Sequence, residues 1–276
     1  MEYYDRGGEV EITEVSDFDL ARIFECGQCF RWDGDENGAY TGVALNRVAR
    51  LRHDGGSVFI SGTIQDFEAV WRDYFDLGRD YAAIRENLCI DGFMRRATAF
   101  GAGIRILRQD RWEALCSFII SQCNNIPRIK KIITALCRRF GDRLEFDGKS
   151  LYTFPAAGRL AALSPADLAP IRCGYRADYI ISAAAEVGCG NLDLDKLSRA
   201  DPGAALATLK KLRGVGDKVA SCVALFGLNM MDAFPLDVWM KRAITKHYGP
   251  AFDPSIFAPY AGIAQQYIYY YTRNCP

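Results

Sequence analysis

The spacing of apolar positions along the chain changes character near residue 60. Before it the apolar runs are short: CFRW (29–32), AYTGVAL (39–45), RVARLR (47–52) and SVFI (57–60). Turn-forming stretches, DGDENG at 33–38 and HDGG at 53–56, separate them, as expected of strands joined by tight loops. Arg47 to Arg52 nearly alternates polar and apolar residues, the period of a half-buried antiparallel strand. From about residue 66 the period becomes helical, with Asp66 expected to cap DFEAVWRDYF. Trp112, Leu115, Cys116, Ile119 and Ile120 fall on one helical face. After the polar break SQCNN a second amphipathic helix begins at Pro127 and stops at Gly141, residues suited to a first turn and to a helix end. Further helices are expected over 165–172, 175–187, 203–211, 217–228, 238–248 and 259–272. The pattern predicts an α+β fold, a β-containing N-terminal part and then a larger helical part.

Composition narrows the class. The chain has 276 residues, half of them hydrophobic and a quarter charged, enough for a sizeable core. No apolar run is long enough to cross a membrane, and the acidic start lacks the basic, then apolar, plan of a secretory leader. The ten cysteines lie in apolar helical patterns and are expected to be reduced thiols of an intracellular protein, cytoplasmic or nuclear. Cys26 and Cys29 form the only C-x-x-C, and His53 and His247 are the only histidines. A zinc site is therefore not expected. An iron–sulfur cluster needs four neighbouring cysteines, and after Cys222 only Cys275 remains. The zero net charge hides an asymmetry. Residues 1–40 hold eleven acids and three arginines, a net −8, so the remainder carries +8. Six basic residues in 124–145 face only Asp142 and Glu145. A local basic surface is enough to bind phosphates.

The most informative stretch is Leu212-Arg213-Gly214-Val215-Gly216-Asp217-Lys218. One predicted helix runs into Gly214-Val215-Gly216 and straight into the next, a helix-hairpin-helix pattern. The glycines allow a tight turn close to a phosphate, and the amides opening the second helix suit an anion. An ordinary helix–helix turn is the competing reading, since G-x-G alone is common. Lys218 falls at the border of the apolar stripe formed by Val219, Cys222, Val223 and Phe226, with Asp217, Ser221 and Leu228 opposite. Partial desolvation and the helix dipole there favour a neutral, nucleophilic amine able to form a Schiff base. A snorkelling surface lysine is the commoner case for a lone lysine. Asp237, nineteen residues on, is expected to cap the helix 238–248. Its fixed carboxylate could also offset positive charge on a sugar.

Taken together, a G-V-G hairpin, a lysine and a proline-led loop ending in aspartate resemble the helix-hairpin-helix (HhH-GPD) glycosylases. More closely, the chain resembles 8-oxoguanine DNA glycosylase/AP lyases. The matching stretches run in order: Gly27 to Trp32, Ile106 to Asp110, Asn124 to Arg128, Gly174 to Tyr179, Gly214 to Cys222 and Pro259 to Gln265. The resemblance implies an enzyme that excises 8-oxoguanine from duplex DNA, with cytosine opposite, and nicks the strand by β-elimination. The fold it implies is an N-terminal antiparallel β-sheet domain with flanking helices over 1–100 and a mostly helical region over 101–276. The base would be extruded into a cleft between two helical subdomains. Lys218 would attack C1′ with help from Asp237. The Gly27 carbonyl would accept the N7–H that 8-oxoguanine has and guanine lacks. Cys222 and Tyr269 would sandwich the base, and Gln265 would read its Watson–Crick edge. Tyr175 would fill the vacated stack, with Asn124, Arg128 and Arg176 near the orphaned cytosine and Gly214, Val215 and Gly216 on a phosphate. The resemblance implies a monomer without a redox cofactor, in which the hairpin could hold a structural monovalent cation through its carbonyls.

Two positions depart from the pattern. Cys123 stands where the family has the first asparagine of a triplet, and Trp239 replaces a phosphate-contacting histidine. Cysteine lacks an amide's paired donor and acceptor, so a looser preference for the opposite base is expected. Indole keeps one donor for the phosphate. Two alternatives stay open at this point. A monofunctional glycosylase for alkylated bases keeps the aspartate but lacks the lysine. A non-catalytic DNA-binding hairpin module has no use for Lys218, Asp237, Cys222 and Gln265 together.

Overall fold

The computed structural model describes residues 1–275. Strands β1 (Glu2–Asp5), β2 (Glu9–Thr13), β3 (Trp32–Gly34), β4 (Tyr40–Ala44), β5 (Arg47–Asp54) and β6 (Ser57–Ser61) form one antiparallel sheet in the order β1-β2-β6-β5-β4-β3. Helix α1 (Leu20–Glu25) interrupts them. Alternation decides the buried face: Val10 and Ile12 on β2, Ala49 and Leu51 on β5, and Val58 and Ile60 on β6 point into one core. Against it pack Phe24, Trp32, Trp71 and Phe75, with Phe24 stacked on Trp32 at 4.4 Å. Gly42 is required there, because a Cβ would overlap the Trp32 ring.

The rest is helical: α2 (Ile64–Asp66), a π-helical turn Phe67–Trp71, α3 (Arg72–Tyr74), α4 (Tyr81–Asn87), α5 (Gly92–Phe100), α6 (Arg111–Ile120), α7 (Ile126–Phe140), α8 (Ala157–Ala161), α9 (Arg176–Gly188), α10 (Leu194–Leu197), α11 (Pro202–Leu209), α12 (Asp217–Phe226), α13 (Val238–His247) and α14 (Ala261–Asn274). A small hairpin, β7 (Arg143–Phe146) with β8 (Lys149–Tyr152), follows α7. Helices α4 and α5 join the second, larger core with α6, α7, α9, α12 and α14. Among the described residues no helix is long and apolar enough to cross a membrane.

The α+β expectation holds, with local corrections. Thr63, not Asp66, caps the helix after β6; its side chain accepts from the Asp66 amide, so Asp66 lies inside. Only Trp32 of CFRW enters a strand. Over 165–172 there is no α-helix: Pro170 lacks the donor that a longer helix needs, and a 3-10 turn, Ala169–Ile171, follows simple turns. Leu228 is not opposite the buried stripe of α12. That helix ends at Phe226, and the chain folds back so that Leu228 is buried and its amide bonds the Val223 carbonyl.

The loop between α1 and β3 stitches the two cores together. Cys26 and Phe30 enter the helical core, whereas Cys29 and Trp32 enter the sheet core. Gly27 sits at the junction, at φ +83°. A buried pair, Arg31 to Glu113 at 2.9 Å, fastens the same loop to α6, and Arg31 also donates to the Tyr152 carbonyl.

Candidate active site

Glutamine side chains hold the Gly27 loop from several sides. Gln266 Nε2 donates to the Cys26 carbonyl at 2.7 Å, and Gln109 Nε2 to the Gln28 carbonyl at 2.7 Å. The fully buried Gln28 side chain donates to Ile23 and Arg105 carbonyls and accepts from the Leu107 amide. The carbonyls on either side of Gly27 are thus occupied, while that of Gly27 accepts no hydrogen bond among the described residues. Buried acceptors are nearly always paired, so a free one at a cavity wall is a place for a ligand's donor.

That wall belongs to a cavity shared by Gly27, Lys218, Cys222, Asp237, Gln265 and Tyr269. Helix α12 carries Lys218 and Cys222 one turn apart. Lys218 is half-buried; its Nζ lies 3.2 Å from Ser121 Oγ, to which it donates, and 5.7 Å from the Phe118 ring centre. Asp237 caps α13, accepting from the Met240 amide at 2.8 Å, which fixes its carboxylate at the cavity edge. Burial pushes the Cys222 thiol up to about 11, against the opposing pull of the Lys218 charge and with a further push from Asp237. Cys222 is therefore a neutral, apolar wall. Burial likewise raises the Tyr269 phenol, opposed by Arg273. Gln265 lines the same cavity, and its Oε1 is buried without a partner among the described residues.

Outside this cavity a wider cleft continues past Ser121, Cys123, Asn124, Leu236 and Trp239. Cys123 is exposed at φ +45°. Asn124 bonds the Ile120 carbonyl at 3.0 Å, while Asn125 caps α7 by accepting from the Arg128 amide. Arg128 is exposed, with one long contact to the Arg172 carbonyl. Tyr175 projects half-exposed. Arg176 does not: it is 3% exposed and donates to the Gln122, Cys123 and Cys173 carbonyls, so here it braces the 121–125 turn.

In the hairpin between α11 and α12, Gly214 has φ +80°, and a Cβ there would overlap the Tyr179 ring. The Val215 amide donates to the Leu212 carbonyl at 3.1 Å, closing the turn. Gly216 caps α12 without a side chain. The first amides of α12 are left for an outside acceptor, the arrangement that suits a phosphate.

All of Gly27, Lys218, Cys222, Asp237, Gln265 and Tyr269 meet in one place, though they come from four separate stretches of chain. Residue-by-residue reading missed Gln266, which fixes the Gly27 loop, and Phe118, Ser121, Phe226 and Pro235, which complete the walls or hold Lys218. A glutamine in an apolar stretch of α14 was the one available signal for Gln266.

Comparison with known proteins gives consistent results. Residues 11–115 match the family model described as 8-oxoguanine DNA glycosylase, N-terminal domain. Residues 116–255 match that of HhH-GPD superfamily base excision DNA repair protein. The N-glycosylase/DNA lyase of Saccharomyces cerevisiae is 31% identical over 267 residues, covering 87% of this chain and 71% of its own. A structure of MBOgg1 with a low-affinity DNA ligand is 43% identical and superposes with a TM-score of 0.95, covering 99% of each chain. The Clostridium acetobutylicum 8-oxoguanine glycosylase/lyase, bound to DNA with cytosine opposite 8-oxoG, is 37% identical with a TM-score of 0.94, covering 99% of this chain and 98% of its own.

Proposed function

The chain belongs to the HhH-GPD superfamily of base excision DNA repair proteins, and we propose on that premise how its cavity performs the family's chemistry. The protein is a bifunctional DNA glycosylase/AP lyase that removes 8-oxoguanine, opposite cytosine, from duplex DNA. One observation carries the assignment of roles. Lys218 lines the same cavity as Asp237, as Gly27 with its unpaired carbonyl and as Gln265 with its unpaired oxygen.

The damaged base leaves the stack and enters between Cys222 and Tyr269. Its N7–H bonds the Gly27 carbonyl, and its pairing edge meets Gln265. Guanine offers a lone pair at N7 instead, and an unpaired buried acceptor costs about 1–3 kcal/mol. The Lys218 amine, having lost its proton, attacks C1′; the C1′–N9 bond breaks and the base departs with the electron pair, to be protonated. Asp237 stabilises the positive charge that develops on the sugar. Ring opening gives an imine between Lys218 and C1′. Loss of a C2′ proton then breaks the C3′–O3′ bond and nicks the strand, and water releases the lysine.

Gly214, Val215 and Gly216 hold a backbone phosphate of the damaged strand, and Trp239 donates its indole N–H to another. Tyr175 fills the gap in the stack. Asn124, Arg128 and Arg176 face the orphaned cytosine, for which Arg176 must exchange at least one carbonyl partner. Cys123 supplies no amide there, which loosens the demand for cytosine. Among the described residues no cluster of His, Cys, Asp or Glu could hold a metal. The Lys210 and Val215 carbonyls accept no backbone hydrogen bond, leaving acceptors with which a monovalent cation would brace the hairpin. Lys218→Gln should bind a duplex carrying 8-oxoguanine opposite cytosine yet neither release the base nor cut the strand. Retained cutting would remove Lys218 from the mechanism.

A further inference from the structure

Beyond the lesion cleft, on the other side of Trp239, a second groove of about 470 Å³ runs between α5, α13 and the end of α14. Its lining combines the cations Arg96, Arg242 and Lys246 with Phe93, His247 and Trp239. Trp239 also lines the cleft, so the two spaces share a wall. On α13 the positions 239, 242 and 246 follow helical spacing and form one stripe, with Trp239 half-buried and Arg242 and Lys246 exposed, while Met240 and Ala243 face the core.

Among the described residues, neither Arg96 nor Arg242 nor Lys246 is paired with an acid, and no acid lines the groove. Arg242 lies over the Trp239 ring at 5.3 Å, and the His247 ring stacks on Phe93 at 3.8 Å and 11°. His247 is held below its usual value first by burial, then by the charges of Lys246 and Arg96, with Asp91 opposing. Basic residues closing a helix satisfy its dipole, which accounts for Lys246 and His247. It does not account for Arg242 or for Arg96 on another helix.

Cations interleaved with aromatic rings along a groove are the chemistry of a nucleic-acid backbone. From residue 239 to residue 246 the stripe spans about 10 Å at about 1.5 Å per residue, long enough to face more than one backbone phosphate. We propose that this groove takes the sugar–phosphate backbone of the damaged strand beyond the nucleotides in the cleft, with Arg242 and Lys246 each facing a phosphate. The proposal rests on the glycosylase reading and extends its contact with DNA past the hairpin and the cleft.

The test is a double-mutant cycle. Duplexes with one 8-oxoguanine carry single neutral methylphosphonates, stepped outward from the lesion on both sides of the damaged strand. Each is bound to the wild-type protein and to Arg242→Gln/Lys246→Gln, whose folding is verified by an unchanged Tm. At one or two of these positions the neutral linkage should weaken wild-type binding about five-fold and leave the variant's affinity unaltered. On the unmodified duplex the variant's plot of log affinity against log salt should be shallower by about 2. Single-turnover excision at saturating enzyme should be unchanged. Purely additive losses at every position, or an unaltered salt slope, would overturn the proposal, and would point instead to a groove for an acidic protein surface or to simple solvation. A wild-type protein that fails to excise would instead sink the glycosylase reading, so the two failures are distinguishable.

Discussion

Replacing Gly27 by alanine separates a lesion-reading role from a structural one, because its two consequences have different sizes and different readouts. At φ +83° an alanine is strained, by about 1–2 kcal/mol for an L-residue in the left-handed region. The added Cβ would lie 3.4 Å from Tyr269 Oη, 3.5 Å from Tyr269 Cε1 and 3.6 Å from Ile126 Cδ1. These are ordinary contacts, so the packing cost is small and strain dominates. Global stability should fall by about 1–2 kcal/mol, lowering Tm by roughly 2–4 °C in a chain of this size. The methyl group, however, occupies cavity space beside the Tyr269 ring, and strain relief rotates the Gly27 carbonyl. If that carbonyl supplies about 1–3 kcal/mol of discrimination, the preference for 8-oxoguanine over guanine should fall by roughly 5- to 150-fold. Single-turnover excision on paired lesion and undamaged duplexes, at a temperature where both proteins are folded, measures it. A Tm drop of the expected size with unchanged excision and unchanged preference would refute the lesion-reading role and leave Gly27 as a turn residue.

Three other outcomes follow from the same geometry. Gln266→Leu removes the donor to the Cys26 carbonyl, at about 1–3 kcal/mol for an orphaned buried acceptor; lesion preference should drop while duplex binding persists, and an unaltered preference would show that the Gly27 loop holds its shape without Gln266. Arg31→Leu leaves Glu113 buried without its partner, which should destabilise by about 3–5 kcal/mol in urea unfolding; a loss below about 1 kcal/mol would mean the pair behaves as a solvent-exposed one. Burial pushes the Cys26 and Cys222 thiols up to about 11. Their folded values lie above the unfolded ones, so their contribution is complete below about pH 9 and is lost as pH rises to about 11. The urea midpoint should fall across that window, and at pH 8 a thiol reagent should label exposed Cys123 and Cys189 long before either; equal labelling rates would contradict it.

Much of this was legible in the sequence because the signals were chemical as well as periodic. Pro127 and Gly141 bounded α7, and Asp237 both capped α13 and entered the cavity. The hairpin glycines stood where Tyr179 leaves room for nothing larger at residue 214. Elements with weak local signals escaped. The turn joining β4 to β5 uses Leu45 and Asn46, both at positive φ, and leucine gives no hint of such a turn. Strands β1 and β2 lie in an acidic stretch whose alternation is short, EYYD and EVEIT. Hairpin β7–β8 falls among charged residues, in strands of only four residues each that give a weak alternation signal. The resemblance places Arg176 near the opposite base; its burial and its three carbonyl partners depend on how the 121–125 turn folds, which no local pattern encodes. The pairing of Gln266 with Cys26 joins residues 240 apart in sequence and is set by tertiary packing alone.

The central claim is that the half-buried Lys218 amine forms the covalent link to the sugar. Borohydride trapping tests it most directly, on a duplex with one 8-oxoguanine opposite cytosine beside an undamaged duplex. The account predicts a stable adduct on the damaged strand alone, formed by the wild-type protein and absent with Lys218→Gln. An adduct that persists without Lys218, or none from a wild-type protein that binds the lesion tightly, would contradict it.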